Sequence, residues 1–162
     1  MPTNALRILL IADDPLARVG LAALLADADD LEVVGQSAAD EHLHQAPELF
    51  RPDAVLWDLG WDAAPNFELL SAFAENGPPL LALLDDDELV SAAWAAGARG
   101  LLRRQADVGQ IQAALTAVSQ GLAVIEPEFT AGLNLHPLDG EPLLEELTAR
   151  EMDVLQLLAE GS

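Results

Sequence analysis

Short apolar runs alternating with segments of helical period constrain this chain more tightly than any other feature. The runs are RILLIA (7–12), LEVVGQ (31–36), AVLW (54–57), LLALL (80–84) and GLLR (100–103). Short and continuous, they read as strands covered on both faces. Between them, apolar residues recur at 3.6-residue spacing. Val19, Ala22, Ala23 and Leu25 mark the first such segment, after Pro15, and Phe67, Leu70 and Phe73 the third. Val90, Ala93, Trp94 and Gly97 mark the fourth, and Ile111, Ala114, Leu115 and Val118 the fifth. The second, around Leu43 to Phe50, has the weakest pattern. Strand–helix alternation repeated five times predicts an α/β fold, a doubly wound five-stranded parallel sheet with helices on both faces.

The pattern changes near Gly121. Residues 1–121 form one predicted domain, and the stretch 122–145, punctuated by Pro and Gly, reads as a linker with one short helical turn after Pro127. Residues 146–162 then predict a helix. Thr148 and Glu151 suit a capping box, Met152, Leu155 and Leu158 share a face, and Gly161 suits a C-cap. One amphipathic helix cannot bury its own apolar face, so the chain is expected to end inside a second domain.

The charge balance restricts partners. There are 28 acids against 7 basic residues, all arginine, for a net charge of −21. Such a surface repels polyanions and argues against nucleic-acid binding by these residues. No apolar run approaches the roughly 20 residues of a membrane span, so no membrane association is expected. The absence of cysteine fits a cytoplasmic protein.

Three acids lie at predicted strand ends, where doubly wound sheets bind ligands. Asp13 and Asp14 follow the first strand and Asp58 the third. Clustered carboxylates repel one another unless a cation neutralises them, and a hard divalent ion such as Mg²⁺ suits oxygen ligands. The run Asp85 to Glu88 lies beside the same pocket. It reads as an N-cap with favourable helix-terminal charges, with a more negative pocket as a side effect.

These residues resemble a known family. ILLIADDPLARVGLAALLADADDLEVVGQSAAD is similar to the opening of a receiver domain of two-component response regulators, in the NarL/FixJ (LuxR-type) branch. VLWDL resembles the phospho-acceptor strand, AAGARGLL the end of the fourth helix and the fifth strand, and LTAREMDVLQLLAEG the first helix of a LuxR-type helix-turn-helix domain. The resemblance covers nearly the whole chain. It implies a flavodoxin-like (CheY-like) fold, with Asp58 as the nucleophile forming an aspartyl phosphate. Asp13, Asp14 and Asp58 would hold Mg²⁺, helped by the carbonyl of Gly60. A histidine kinase would be the phosphoryl source and a homodimer the output state, with apolar contacts from Leu101, Trp94 and the fifth helix. DNA would be bound only by the C-terminal domain, truncated here after its first helix.

The sequence departs from the family where the switch is read. The family's Ser or Thr at the end of the fourth strand falls on Ala82 or Leu84, depending on where the alignment is anchored, and GPPLLALLDDDE contains neither hydroxyl residue. The lysine falls on Arg104, or on Arg103, and the aromatic switch residue on Leu101. One family residue between Asp14 and Pro15 is missing, and a loop proline appears as Asp62. A switch needs roughly 5.5 kcal/mol of differential binding, and a hydrogen bond to a charged group supplies about 1.5–3 kcal/mol. Losing the hydroxyl therefore removes a sizeable share of the coupling. The expectation is an atypical receiver with weakened or absent phosphorylation switching. The alternative is a conventional phospho-acceptor in which Arg104 replaces the lysine.

Other classes fare worse. An aspartyl-phosphate hydrolase wants a second Asp two residues after the nucleophile, where Gly60 stands, and a lysine, so the chain is not expected to be an enzyme. A pure interaction scaffold with vestigial acids remains open. His42 and His44 read as surface histidines, Trp57 and Trp94 as core, and Trp61 as a cap over the pocket.

Overall fold

The structure is a computed structural model that describes residues 5–60 and 65–133. Six strands alternate with helices: β1 (Leu6–Ala12), α1 (Pro15–Ala26), β2 (Leu31–Ser37), α2 (Ala46–Phe50), β3 (Ala54–Asp58), α3 (Phe67–Asn76), β4 (Leu80–Leu84), α4 (Val90–Ala96), β5 (Gly100–Arg103), α5 (Val108–Ser119) and β6 (Val124–Ile125), before a short α6 (Thr130–Leu133). Single 3₁₀ turns cover Glu41–Gln45, Asp87–Leu89 and Pro127–Phe129. All strands are parallel, in the order β2-β1-β3-β4-β5-β6.

Burial explains why strands of such composition form. Every residue of β3 and β4 is buried, although LLALL contains no β-branched residue. Context rather than propensity makes it a strand, because a central position in a doubly covered sheet favours any continuous apolar run. One core unites Ile8, Leu10, Ala54, Leu56, Leu81, Leu83 and Leu102 with Leu25 of α1 and Ile111, Ala114, Leu115 and Val118 of α5. Residues of the other strand parity face the opposite side, where Trp57 meets Phe73 of α3 edge-on at 5.8 Å.

The helix ends follow their caps. Asp14 caps α1 by accepting from the Leu16 amide, with Pro15 in the first turn. Asp107 and Gln110 form a reciprocal capping box at α5. In α1 the periodicity misplaces the inner face. Leu25 is buried and Leu21 and Ala22 half-buried, while Val19 and Ala23 are exposed. Leu16, Val19 and Leu24 are apolar and face outward, so an apolar-all-round helix gave no contrast from which to choose a side.

The expected five-stranded sheet is six-stranded. Val124 and Ile125 register with Gly100 and Leu101, inside the stretch read as linker from residue 122. A two-residue strand is too short to show a period of its own; edge pairing and the burial of Phe129 decide it. The chain divides into units Met1–Phe129 and Thr130–Ser162, so the sheet-bearing unit runs past residue 121. The capping box at Thr148 and Glu151, the helix they would start, and Trp61 and Asp62 lie outside the described residues.

Candidate functional site at the carboxyl ends of the strands

Asp58, the last residue of β3, registers with Ala12 on one side and Leu83 on the other. This register places Asp13 and Asp14 just past the end of the neighbouring strand. Together with Ala39, Trp57, Leu59, Gly60 and Pro65, the three acids line a cavity of about 240 Å³. Two other concavities are each lined by a single acid: one of about 420 Å³ around Leu43, Glu48 and Phe73, and one of about 480 Å³ around Glu75, Pro79 and Arg99.

Asp58 is the one polar residue buried among the described residues, 6% exposed, and its cation is Arg104. Arg104 Nε donates to Asp58 Oδ1 at 2.7 Å, and Nη2 donates to Oδ2 at 2.9 Å. This is the two-pronged match between guanidinium and carboxylate that a lysine cannot make. The Gly60 amide donates to Asp58 Oδ1 as well, at 2.9 Å. Gly60 holds φ +66° to bring its amide there, a conformation that glycine adopts without steric cost. Asp85, directly after β4, is the second anion on Arg104, with Nη1 and Oδ2 3.6 Å apart. At that length the contact is an ion pair and not a hydrogen bond, and Asp85 Oδ2 has no hydrogen-bond partner. The hydrogen bonds that Arg104 donates to Asp58, helped by the charges of Asp58 and Asp85, raise the Arg104 pKa above the ordinary arginine value against the opposing effect of burial. Arg104 is therefore a fixed positive charge at any pH the protein experiences.

Asp13 and Asp14 look elsewhere. Asp13 Oδ1 accepts from the Ala39 amide at 2.8 Å, and Asp14 Oδ1 from the Leu16 amide at 3.0 Å. Arg18 of α1 donates to the Ala12 carbonyl between them and the sheet. The predicted residues thus share one cavity, yet no three His, Cys, Asp or Glu among the described residues are grouped to hold a metal ion. With both Asp58 oxygens on Arg104, and Asp13 and Asp14 each bonded to a backbone amide, the acids as arranged do not fit a divalent ion.

The switch positions are apolar and closed. Ala82 registers with Trp57, one residue short of Asp58, and Leu84 closes β4 opposite Arg103. Both are fully buried, as is Leu101, which lies between Ala82 and Ile125. Leu101 cannot contribute to a dimer surface as the sequence suggested, because β6 covers its strand edge. Trp94 is half-buried, with the Arg99 guanidinium 4.2 Å over its ring.

The acidic run 85–88 is not one feature. Asp86 caps the 3₁₀ turn by accepting from the Glu88 amide, Asp85 faces Arg104, and Asp87 reaches Arg103 at 3.6 Å. Arg103 also donates to Glu128, while its own amide donates to Glu126 Oε1 at 3.1 Å and its guanidinium lies 5.3 Å from the centre of the Phe129 ring. The hydrogen bond to Glu128 raises the Arg103 pKa, opposed by desolvation. The resemblance puts the family lysine on Arg104 ahead of Arg103, and Arg104 is the one that reaches Asp58; the sequence has no signal for the Phe129 anchor.

A six-stranded parallel sheet with an acid at the end of its third strand, facing a cation at the end of its fifth, defines a CheY-like receiver domain. No family model matches the chain. It is 30% identical over 161 residues to the response regulator protein VraR of Staphylococcus aureus, an alignment covering 96% of this chain and 77% of VraR. Among solved structures, the response regulator ChrA of a heme-sensing two-component system is 29% identical, with TM-score 0.67 over 99% of this chain and 78% of ChrA. A LuxR-family response regulator from Aurantimonas sp. SI85-9A1, 21% identical with TM-score 0.69 over 81% of this chain and 96% of its own, shares the fold. The chain belongs to the response regulator family, with a receiver domain of NarL/FixJ type.

Proposed function

We propose that this chain is an atypical receiver that sets the assembly of a transcription regulator, with phosphorylation switching weakened or absent. The observation that carries this reading is the Asp58–Arg104 pair. An acceptor carboxylate must turn an oxygen toward phosphorus, and here Oδ1 of Asp58 accepts from both Arg104 Nε and the Gly60 amide while Oδ2 is held by Arg104 Nη2. The apolar Ala82, Leu84 and Leu101 support the same reading, since none can grip a phosphoryl group or report its arrival. In this reading Asp58 keeps the acceptor position, and Arg104 closes it.

The output is a homodimer that spaces C-terminal DNA-binding domains. The outward stripe of α1, with Leu16, Val19, Gly20, Ala23 and Leu24 at helical spacing, is the apolar surface that supports a dimer in so acidic a protein. DNA binding belongs to the C-terminal domain, the partner of a phosphorylating input would be a histidine kinase, and no enzymatic turnover is assigned. No helix among the described residues is long and apolar enough to cross a membrane, and a cytoplasmic location is part of this reading.

A second reading is favoured by one observation: Arg104 reaches Asp58, where the family lysine is expected. In that reading Arg104 is the phosphoryl-gripping cation of a conventional switch. Beryllofluoride with Mg²⁺ distinguishes the two, with oligomeric state followed by light scattering. An unchanged assembly is expected; a beryllofluoride-driven change would establish the conventional switch.

A further inference from the structure

Receiver domains of this kind generally bind Mg²⁺ at the phosphorylation site, and the acids of this one do not fit it. We propose that Arg104 is the resident cation of the site: its guanidinium replaces the divalent ion and excludes it. The inference deepens the atypical-receiver reading and rests on it.

Charge comes first. Asp13, Asp14 and Asp58 line the cavity and Asp85 pairs with Arg104, a group of carboxylates that repel one another unless a cation lies near. Arg104 supplies that charge from within the chain, with its side chain 18% exposed and that of Asp58 2%. A tethered cation carries no binding entropy cost and cannot dissociate, so Asp58 keeps its counter-charge at any metal concentration.

Geometry comes second. Mg²⁺ demands ligand oxygens about 2.0–2.1 Å away in near-octahedral array. Asp58 Oδ1 already accepts from Arg104 Nε and from the Gly60 amide, and Oδ2 accepts from Arg104 Nη2. Asp13 and Asp14 are turned to the Ala39 and Leu16 amides. An entering ion would have to compete for oxygens that both arms of the Arg104 fork already hold. Asp85 holds the other side of the guanidinium and restricts the direction in which it can swing. A lysine here would make a single point contact and leave carboxylate lone pairs open.

The experiment is a Mn²⁺ titration followed through tryptophan fluorescence, with Trp57 lining the cavity as the reporter. Wild type is compared with Arg104→Lys and Arg104→Gln, each checked for fold by circular dichroism; Gln removes the charge while keeping a polar side chain, in case one variant fails to fold. Wild type should show no saturable quenching, and the variants should bind Mn²⁺ on the order of tenfold or more tighter. Saturable binding to wild type with the affinity of the variants would overturn the inference. So would folded variants that bind no ion, because Arg104 would then not be what excludes it. Light scattering of wild type with beryllofluoride is run in parallel. A metal-binding wild type whose assembly ignores beryllofluoride would sink the resident-cation inference alone. An assembly that responds would sink the atypical reading as well.

Discussion

Arg103 and Arg104 are neighbours in sequence and inhabit different worlds. Arg104 enters the site, where it is largely enclosed and doubly bonded to a carboxylate that is itself almost fully buried. Arg103 leaves from the opposite face of β5 and gathers the segment that follows α5, through Glu126, Glu128 and the Phe129 ring, with Asp87 of the turn before α4 beside it. Both make several charged contacts, so a count of ion pairs would rank them together. Their surroundings do not. A buried pair is costly to break because the survivor is left charged and dry, whereas water and salt relax an exposed pair at little cost. In the β6 segment the holding force is Phe129, wholly buried, and the ion pairs around Arg103 trim its position.

This contrast can be broken in three places. Phe129→Ala should have the largest effect, about 3 kcal/mol or more of lost stability from the transfer and cavity terms together, measured by urea unfolding. A loss well under 1 kcal/mol would mean that the β6 segment is not anchored by its aromatic ring. Arg104→Ala follows, at about 3 kcal/mol, since it strands Asp58 without a counter-charge. Adding Asp58→Ala should recover much of that loss, and a double-mutant cycle without coupling would show that the pair is ornamental. Glu128→Gln should have the smallest effect, within the error of the same unfolding measurement, and the little it has should vanish at high salt. A large, salt-insensitive loss there would put Arg103 on the same footing as Arg104.

The order of elements was readable because covered strands and amphipathic helices write different periods into the chain, as RILLIA and the Ile111–Val118 segment do. The placement of Asp13, Asp14 and Asp58 at strand ends was readable for the same reason: an acid closing an apolar run must sit at its edge. Distances between strand ends are not written in a linear pattern. The resemblance puts the family lysine on Arg104 ahead of Arg103, yet that its fork holds both oxygens of Asp58 depends on the β3-β4-β5 register and on which face of the strand each residue takes. Likewise β6 and the Phe129 anchor are too short and too remote from their partners to carry a local signal.

The sequence by itself determined a doubly wound sheet with a buried acid at its functional edge and a lysine-free, hydroxyl-free switch. Tertiary structure alone decided what neutralises that acid, because a carboxylate's partner is chosen by proximity in a low-dielectric cavity. Here the nearest strong cation is the protein's own.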